Sequence, residues 1–176
     1  MLKKRIISAM FWITFCIYIL IALEVFFRVR FLFGSGMRMG WRRFNFIPFG
    51  TIADYLSQFG GLPTSLILLN LLGNVLIFIP YGLYLQTIRQ SASIKKSLLI
   101  ILVTSTIIEV IQAVFGIGVC DVDDVILNFA GGFIGVLGYM LLAKAAKSPD
   151  KAKNIVTAIS VIVGGVVLFG PLRQWL

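Results

Sequence analysis

The residues best equipped for chemistry are Asn70 and Asn74, Glu109 and Gln112, and the run Cys120-Asp-Val-Asp-Asp124 that leads into Asn128. All lie within or beside long hydrophobic segments. A carboxylate or amide there loses its water, so it must be bonded by a neighbour or mark a functional site. Oxygen-rich groups of this kind can hydrogen-bond the polar part of an amphipathic ligand, act as acid or base, or hold Mg²⁺ or Ca²⁺. Glu109, Asp121 and Asp124 are the candidates for a cation, but D-x-D-D spacing is a weak metal signal, and we assign neither metal nor cofactor. The chain has no histidine. That argues against histidine phosphatases, serine–histidine intramembrane proteases and HExxH zinc proteases. Neither the G-x-G-D sequence of intramembrane aspartyl proteases nor the spaced aspartates of cytidine-diphosphate-alcohol transferases is present.

The segments that must position these groups are oil-like. Of 176 residues, 59% are hydrophobic and 13% charged, against about 45–50% and about 25% in a soluble domain. Hydrophobic runs cover roughly 6–27, 66–86, 97–116, 125–143 and 155–172. Each approaches the ~20 residues that carry a helix across the hydrocarbon core, and in lipid such runs must be helical because backbone groups bond only to one another. The expected architecture is one all-α membrane domain over residues 1–176, a bundle of about five transmembrane helices, with 155–172 as a C-terminal scaffold helix. The basic start and long apolar stretch of the first run read as a retained anchor. Cys16 reads as a packed thiol. It lies near mid-membrane while Cys120 lies near a surface, so no disulfide is expected.

A net charge of +9 does not point to nucleic acid here, because the basic residues flank the hydrophobic runs. Lys3, Lys4, Arg5, Arg89, Lys95, Lys96, Lys144, Lys147, Lys151 and Lys153 fall on one side of an alternating topology. That side becomes cytoplasmic by the positive-inside rule. Arg28, Arg30, Arg38, Arg42, Arg43 and Arg173 fall on the other. Residues 28–65 form the longest connection, and its Trp41–Phe49 stretch, WRRFNFIPF, combines aromatics and arginines as interfacial segments do. It reads as an outer interfacial loop, either packing or covering a lipid-facing groove. Glu24 and Arg28 suit an i, i+4 ion pair. Gly131 and Gly135 suit close helix approach within the chain, as Gly164-Gly165 could in the last helix.

Depth brings the polar residues together. Asn74 lies one turn below Asn70, and Glu109 and Gln112 share a face. Asp123 or Asp124 is a natural N-cap for the fourth helix, and Asn128 is four residues past Asp124. These groups all fall near the outer end of three helices. They are either a binding or catalytic site or a polar network joining helices.

The motifs N-x-x-x-N-x-x-x-F-x-P-x-G (Asn70 to Gly82), E-x-x-Q (Glu109, Gln112), C-D-V-D-D-V-I-L-N-x-x-G-G (Cys120 to Gly132) and N-x-x-P-F (Asn45 to Phe49) resemble the VanZ-like family. The resemblance covers about residues 10–143, with the motifs in family order. It implies a membrane protein of Gram-positive bacteria, linked through the family's namesake to low-level resistance to teicoplanin-type lipoglycopeptides. It carries no established enzymatic activity. Many members have an arginine shortly before the aspartates, where this chain has Gly116-Ile-Gly118; Arg42 or Arg43 is the expected substitute. The expected ligand is a membrane lipid, a lipid-bearing glycopeptide or a lipid-linked cell-wall precursor. Its contacts would come from Arg42, Arg43, Asn45, Asn70, Asn74, Glu109, Gln112, Asp121, Asp124 and Asn128. The alternatives are an enzyme using Glu109 or Asp124 on a lipid-linked substrate, and a structural partner of another membrane protein. The sequence specifies no oligomeric state.

Overall fold

The computed structural model describes residues 2–29, 44–57, 64–90, 93–115 and 119–169. In chain order its elements are α1 (Leu2–Glu24, continued by a wider π-helical turn, Val25–Val29), β1 (Phe44–Asn45), α2 (Gly50–Ser57), α3 (Thr64–Ile88), α4 (Ile94–Val114), β2 (Cys120–Asp121), α5 (Val122–Ala146) and α6 (Pro149–Phe169). The five hydrophobic runs thus become five long helices. Four contain stretches long and apolar enough to cross a membrane: Lys4–Phe27, Leu71–Ile88, Ile94–Val114 and Val122–Ala146. The architecture is an all-α membrane bundle. The turn from α5 to α6 is short, so these two helices run antiparallel. The turn between α5 and α6 is closed by Lys147, whose φ of 53° places it in the left-handed region of a helix C-cap.

The most extensive contact joins α3 to α5. Its cause is glycine. A Cβ on Gly131 would overlap the Val75 carbonyl oxygen, and one on Gly135 would overlap that of Ile79. Only a residue with no side chain lets the two backbones meet there. The G-x-x-x-G pair therefore works inside the chain, as expected. Gly164 and Gly165 do not: among the described residues, nothing lies within 4 Å of a Cβ at either position. Their expected packing role is corrected on that ground.

Two apolar clusters fill the bundle. Phe11, Tyr84, Tyr139, Ala152 and Val156 join α1, α3, α5 and α6, while Ala22, Phe26, Phe78, Ile101 and Val136 join α1, α3, α4 and α5. Pro80, inside α3, has no amide to donate one turn back. In that stretch the Ile77 carbonyl accepts from the Tyr18 hydroxyl at 2.7 Å, which ties α1 to α3. Lys4 and Asp150 pair at 3.2 Å, so the chain's start and the start of α6 share one end of the bundle. The polar motifs gather toward the opposite end.

Candidate functional site

The site is built around the start of α5. Asp121 is extended (φ −117°, ψ 124°) and caps the helix, its Oδ1 accepting from the Asp123 amide at 2.9 Å. This corrects the expectation that Asp123 or Asp124 caps it. The helix begins at Val122, which puts both of those carboxylates in its first turn, where they also suit the helix dipole. The second oxygen of Asp121 accepts from the Thr51 hydroxyl, and from Asn45 Nδ2 at 3.4 Å. Asn45 also donates to Thr51 Oγ1 at 2.9 Å. The backbones meet as well: β1 and β2 pair in parallel, Phe44 opposite Cys120 and Asn45 opposite Asp121.

Asp123 is 1% exposed and faces the same segment. Its two oxygens accept from the Phe49 and Ile52 amides, the latter at 3.1 Å. The Ile52 amide is among the first-turn donors of α2, which have no partner within their own helix. Phe49 has φ 62°, a backbone conformation uncommon for a bulky side chain, which persists only where surroundings enforce it. Asp123 supplies part of that enforcement.

The remaining groups tie helices together beneath this joint. Asn74 Nδ2 donates to Asp124 Oδ1, linking α3 to α5. Glu109, fully buried on α4, accepts from the Asp121 amide at 3.3 Å. Gln112 donates to the Phe26 carbonyl at 2.9 Å, one of the carbonyls left open where α1 ends. Asn128 donates to Ser105 Oγ at 3.0 Å. Below them comes an apolar layer of Phe78, Ile101 and Val136, and beyond it Ser97 donates to Gln86 at 2.6 Å.

A sequence profile of the VanZ/LLP1 family matches residues 10–143. The chain belongs to the VanZ/LLP1 family. A curated relative, Protein VanZ of Enterococcus faecium, is 40% identical over 75 residues, 43% of this chain and 47% of that protein. The match thus spans about half the length of the relative. No solved structure matches the chain.

The VanZ/LLP1 region holds every residue of the joint, while α6 lies beyond it. Of the residues expected to form the site, Asn45, Asn74, Glu109, Asp121 and Asp124 are brought together around the start of α5. Asn128 and Gln112 sit deeper and beside it, bonded to Ser105 and Phe26. Arg42, Arg43 and the side chains of Asn70 and Arg28 lie outside the described residues, as does Gly116–Gly118. The reading from sequence gave Asp123 only a capping role and missed Thr51 and Ser105. Ser105 was accessible to helical spacing, since it lies one turn before Glu109 on the same face. The bonds of Asp123 to the Phe49 amide and of Thr51 to Asp121 gave no signal, because they join segments 74 and 70 positions apart.

Chemically the joint is rich in acceptors. Gln112 Oε1 and Asn128 Oδ1 are buried and accept from no described group. Among the described residues, no group of three or more His, Cys, Asp or Glu could hold a metal ion. Burial pushes the Cys120 thiol above its ordinary pKa, and the Glu109, Asp121 and Asp124 carboxylates push it the same way. Both cysteines are free, Cys16 exposed and Cys120 buried.

What the joint presents outward is apolar. Phe44, Phe46, Ile47 and Phe49 are 51%, 72%, 67% and 60% exposed. Phe44 and Phe46 stack at 5.8 Å with planes 12° apart. Phe115, at the end of α4, is 72% exposed as well.

Proposed function

We propose that this VanZ/LLP1 protein lowers susceptibility to teicoplanin-type lipoglycopeptides without catalysing a reaction, by engaging a lipid-bearing molecule at the outer leaflet of the cytoplasmic membrane. The observation that carries this reading is the apolar ridge Phe44–Phe49, held by Asp121 and Asp123 at one end of the bundle. Exposed phenylalanines at a helix-bundle end partition into the interfacial region of a bilayer, where the lipid tail of such an antibiotic also lies. The ten basic residues at the opposite end favour a cytoplasmic N-terminus and an outward-facing ridge. A non-catalytic role is supported by the state of the carboxylates. Asp121 and Asp123 are bonded to amide, hydroxyl and side-chain donors of the protein, and Glu109 is fully buried.

Expression in a susceptible Gram-positive host tests the proposal. The inhibitory concentration should rise for a lipid-bearing glycopeptide and stay unchanged for one without a lipid tail. Phe46→Ser with Phe49→Ser should remove the rise at equal protein abundance. The antibiotic recovered after long incubation with purified protein should be chemically unaltered. An equal rise for the lipid-free glycopeptide, or a covalently altered lipid that disappears in Glu109→Gln protein, overturns the reading.

A further inference from the structure

The opposite end of the bundle carries a feature that the joint does not use. Between the starts of α1 and α6 lies a cleft of about 210 Å³ lined by Lys4, Ile7, Ser8, Asp150, Lys153 and Asn154. One water occupies roughly 30 Å³ in the liquid, so the cleft admits a small headgroup. We propose that it binds the phosphate-bearing headgroup of an anionic phospholipid.

Three observations carry the proposal. The first is charge: two lysines face one aspartate, and Ser8 and Asn154 add neutral donors. A phosphodiester needs this mixture of cation and hydrogen-bond donor. The second is order. Lys153 is half-buried, with its ammonium 4.7 Å from the Phe11 ring centroid. Phe11 itself packs against Ala152 and Val156, all three at most 1% exposed. That anchoring fixes one cation before a ligand arrives and lowers the ordering cost of binding. Lys4 pairs with Asp150 at 3.2 Å, both side chains largely exposed. The third is depth. Lys4 opens the apolar stretch Lys4–Phe27, which is long enough to cross a membrane, so the cleft sits where that stretch meets the headgroup region. A lipid phosphate is held at that level, whereas a soluble phosphate is not.

Asp150 gives the proposal a distinctive sign. It competes for Lys4 and repels an anion, so an anionic ligand must displace it. Removing its charge should therefore improve binding, whereas a mere structural ion pair would predict only loss of stability.

The test uses the full-length protein purified in a neutral detergent, titrated with phosphatidylglycerol, phosphatidylcholine or inorganic phosphate. Lipid adducts are counted by native mass spectrometry, and thermal stability is followed in parallel. Phosphatidylglycerol should be retained in preference to phosphatidylcholine. Juxtamembrane basic residues contribute enough per charge to predict roughly fivefold weaker binding for Lys4→Gln and roughly 25-fold for Lys4→Gln with Lys153→Gln. Asp150→Asn should bind more tightly than the parent. Lys95→Gln with Lys96→Gln removes equal charge elsewhere and should leave binding unchanged. Because Lys153→Gln disturbs Phe11, Lys4→Gln and Asp150→Asn, both at exposed positions, keep the test independent of folding. Equal retention of the two lipids, saturation by inorganic phosphate that blocks the lipid, or weaker binding in Asp150→Asn overturns the proposal.

Discussion

A single methyl group, placed at two positions one helical turn apart, should have opposite effects. In Gly135→Ala the new Cβ falls onto the Ile79 carbonyl oxygen and within 2.8 Å of the Leu83 amide nitrogen. Ordinary carbon–oxygen contacts between helices lie at about 3.3–3.6 Å, so α3 and α5 must move apart by roughly 1 Å or more. The obstacle is backbone, which cannot rotate away as a side chain would. Overpacking of this kind costs about 1–3 kcal/mol, and a rigid partner argues for about 3. Alanine returns about 1 kcal/mol as the better helix former, leaving a net loss of about 2 kcal/mol. In Gly138→Ala nothing among the described residues lies within 4 Å, so only the helix-propensity gain remains. The two variants should therefore differ by about 2–4 kcal/mol in reversible unfolding followed in mixed detergent micelles, with Gly135→Ala the weaker. Separation of the helices should also loosen the Asn74–Asp124 bond, seen as broadening or shift of the Asn74 side-chain amide resonance. Equal stability of the two variants would refute the claim that the glycine contact sets the α3–α5 distance.

Other perturbations address the joint. Asp123→Asn faces an amide nitrogen toward one of two backbone donors, so amide exchange at Phe49 and Ile52 should accelerate while exchange within α3 and α5 stays slow; unchanged protection there would remove Asp123 from its bracing role. Ser105→Ala leaves the buried Asn128 Nδ2 without its partner and should destabilise the protein by about 1–2 kcal/mol, with Asn128→Leu added to it recovering part of the loss. Cys120 should react with alkylating reagents more slowly near neutral pH than an exposed thiol, because its raised pKa reduces the thiolate. The rate should climb as pH rises toward that pKa, and Asp124→Asn should speed it. Orientation is better read with Val119→Cys, since Val119 is 42% exposed, in a Cys120→Ser background. An impermeant thiol reagent should label it in intact cells.

The long helices were legible because lipid leaves a backbone no other solution and because runs of about twenty apolar residues are unambiguous. The close approach of α3 and α5 was legible in part, since Gly131 and Gly135 share a face. Gly164-Gly165 is equally small but has no facing backbone among the described residues, a distinction that composition cannot carry. The cap of α5 was misplaced because Asp121, Asp123 and Asp124 are equally good caps by type. What decides among them is the pairing of Asn45 with Asp121, which holds Asp121 extended and lets the helix begin at Val122. A two-residue parallel bridge between segments 76 positions apart has no local signature. Its partners become recognisable only when the chain has folded.

The four motifs behind the family resemblance turn out to be parts of one joint. N-F-I-P-F supplies Asn45 and the Phe49 amide; C-D-V-D-D supplies the carboxylates that receive them. Glu109 of E-x-x-Q holds the strand before α5, and Gln112 holds the end of α1. Asn74 ties α3 to Asp124. Gathering four carboxylates in a mostly apolar protein is costly, through desolvation and mutual repulsion. Holding the helices together does not require it, because the glycine contact between α3 and α5 and the two apolar clusters already do so. The extra expense acts on the segment from Phe44 to Ser57, which contributes no residue to either apolar cluster and would not otherwise keep Phe49 at a positive φ. The polar set therefore serves chiefly to aim that segment, and the surface it aims is the row of exposed phenylalanines. On the proposed function, the ridge would make the recognition contacts and the carboxylates would support it. Ridge substitutions such as Phe46→Ser should thus impair function at unchanged stability, whereas Asp123→Asn should impair function and local order together.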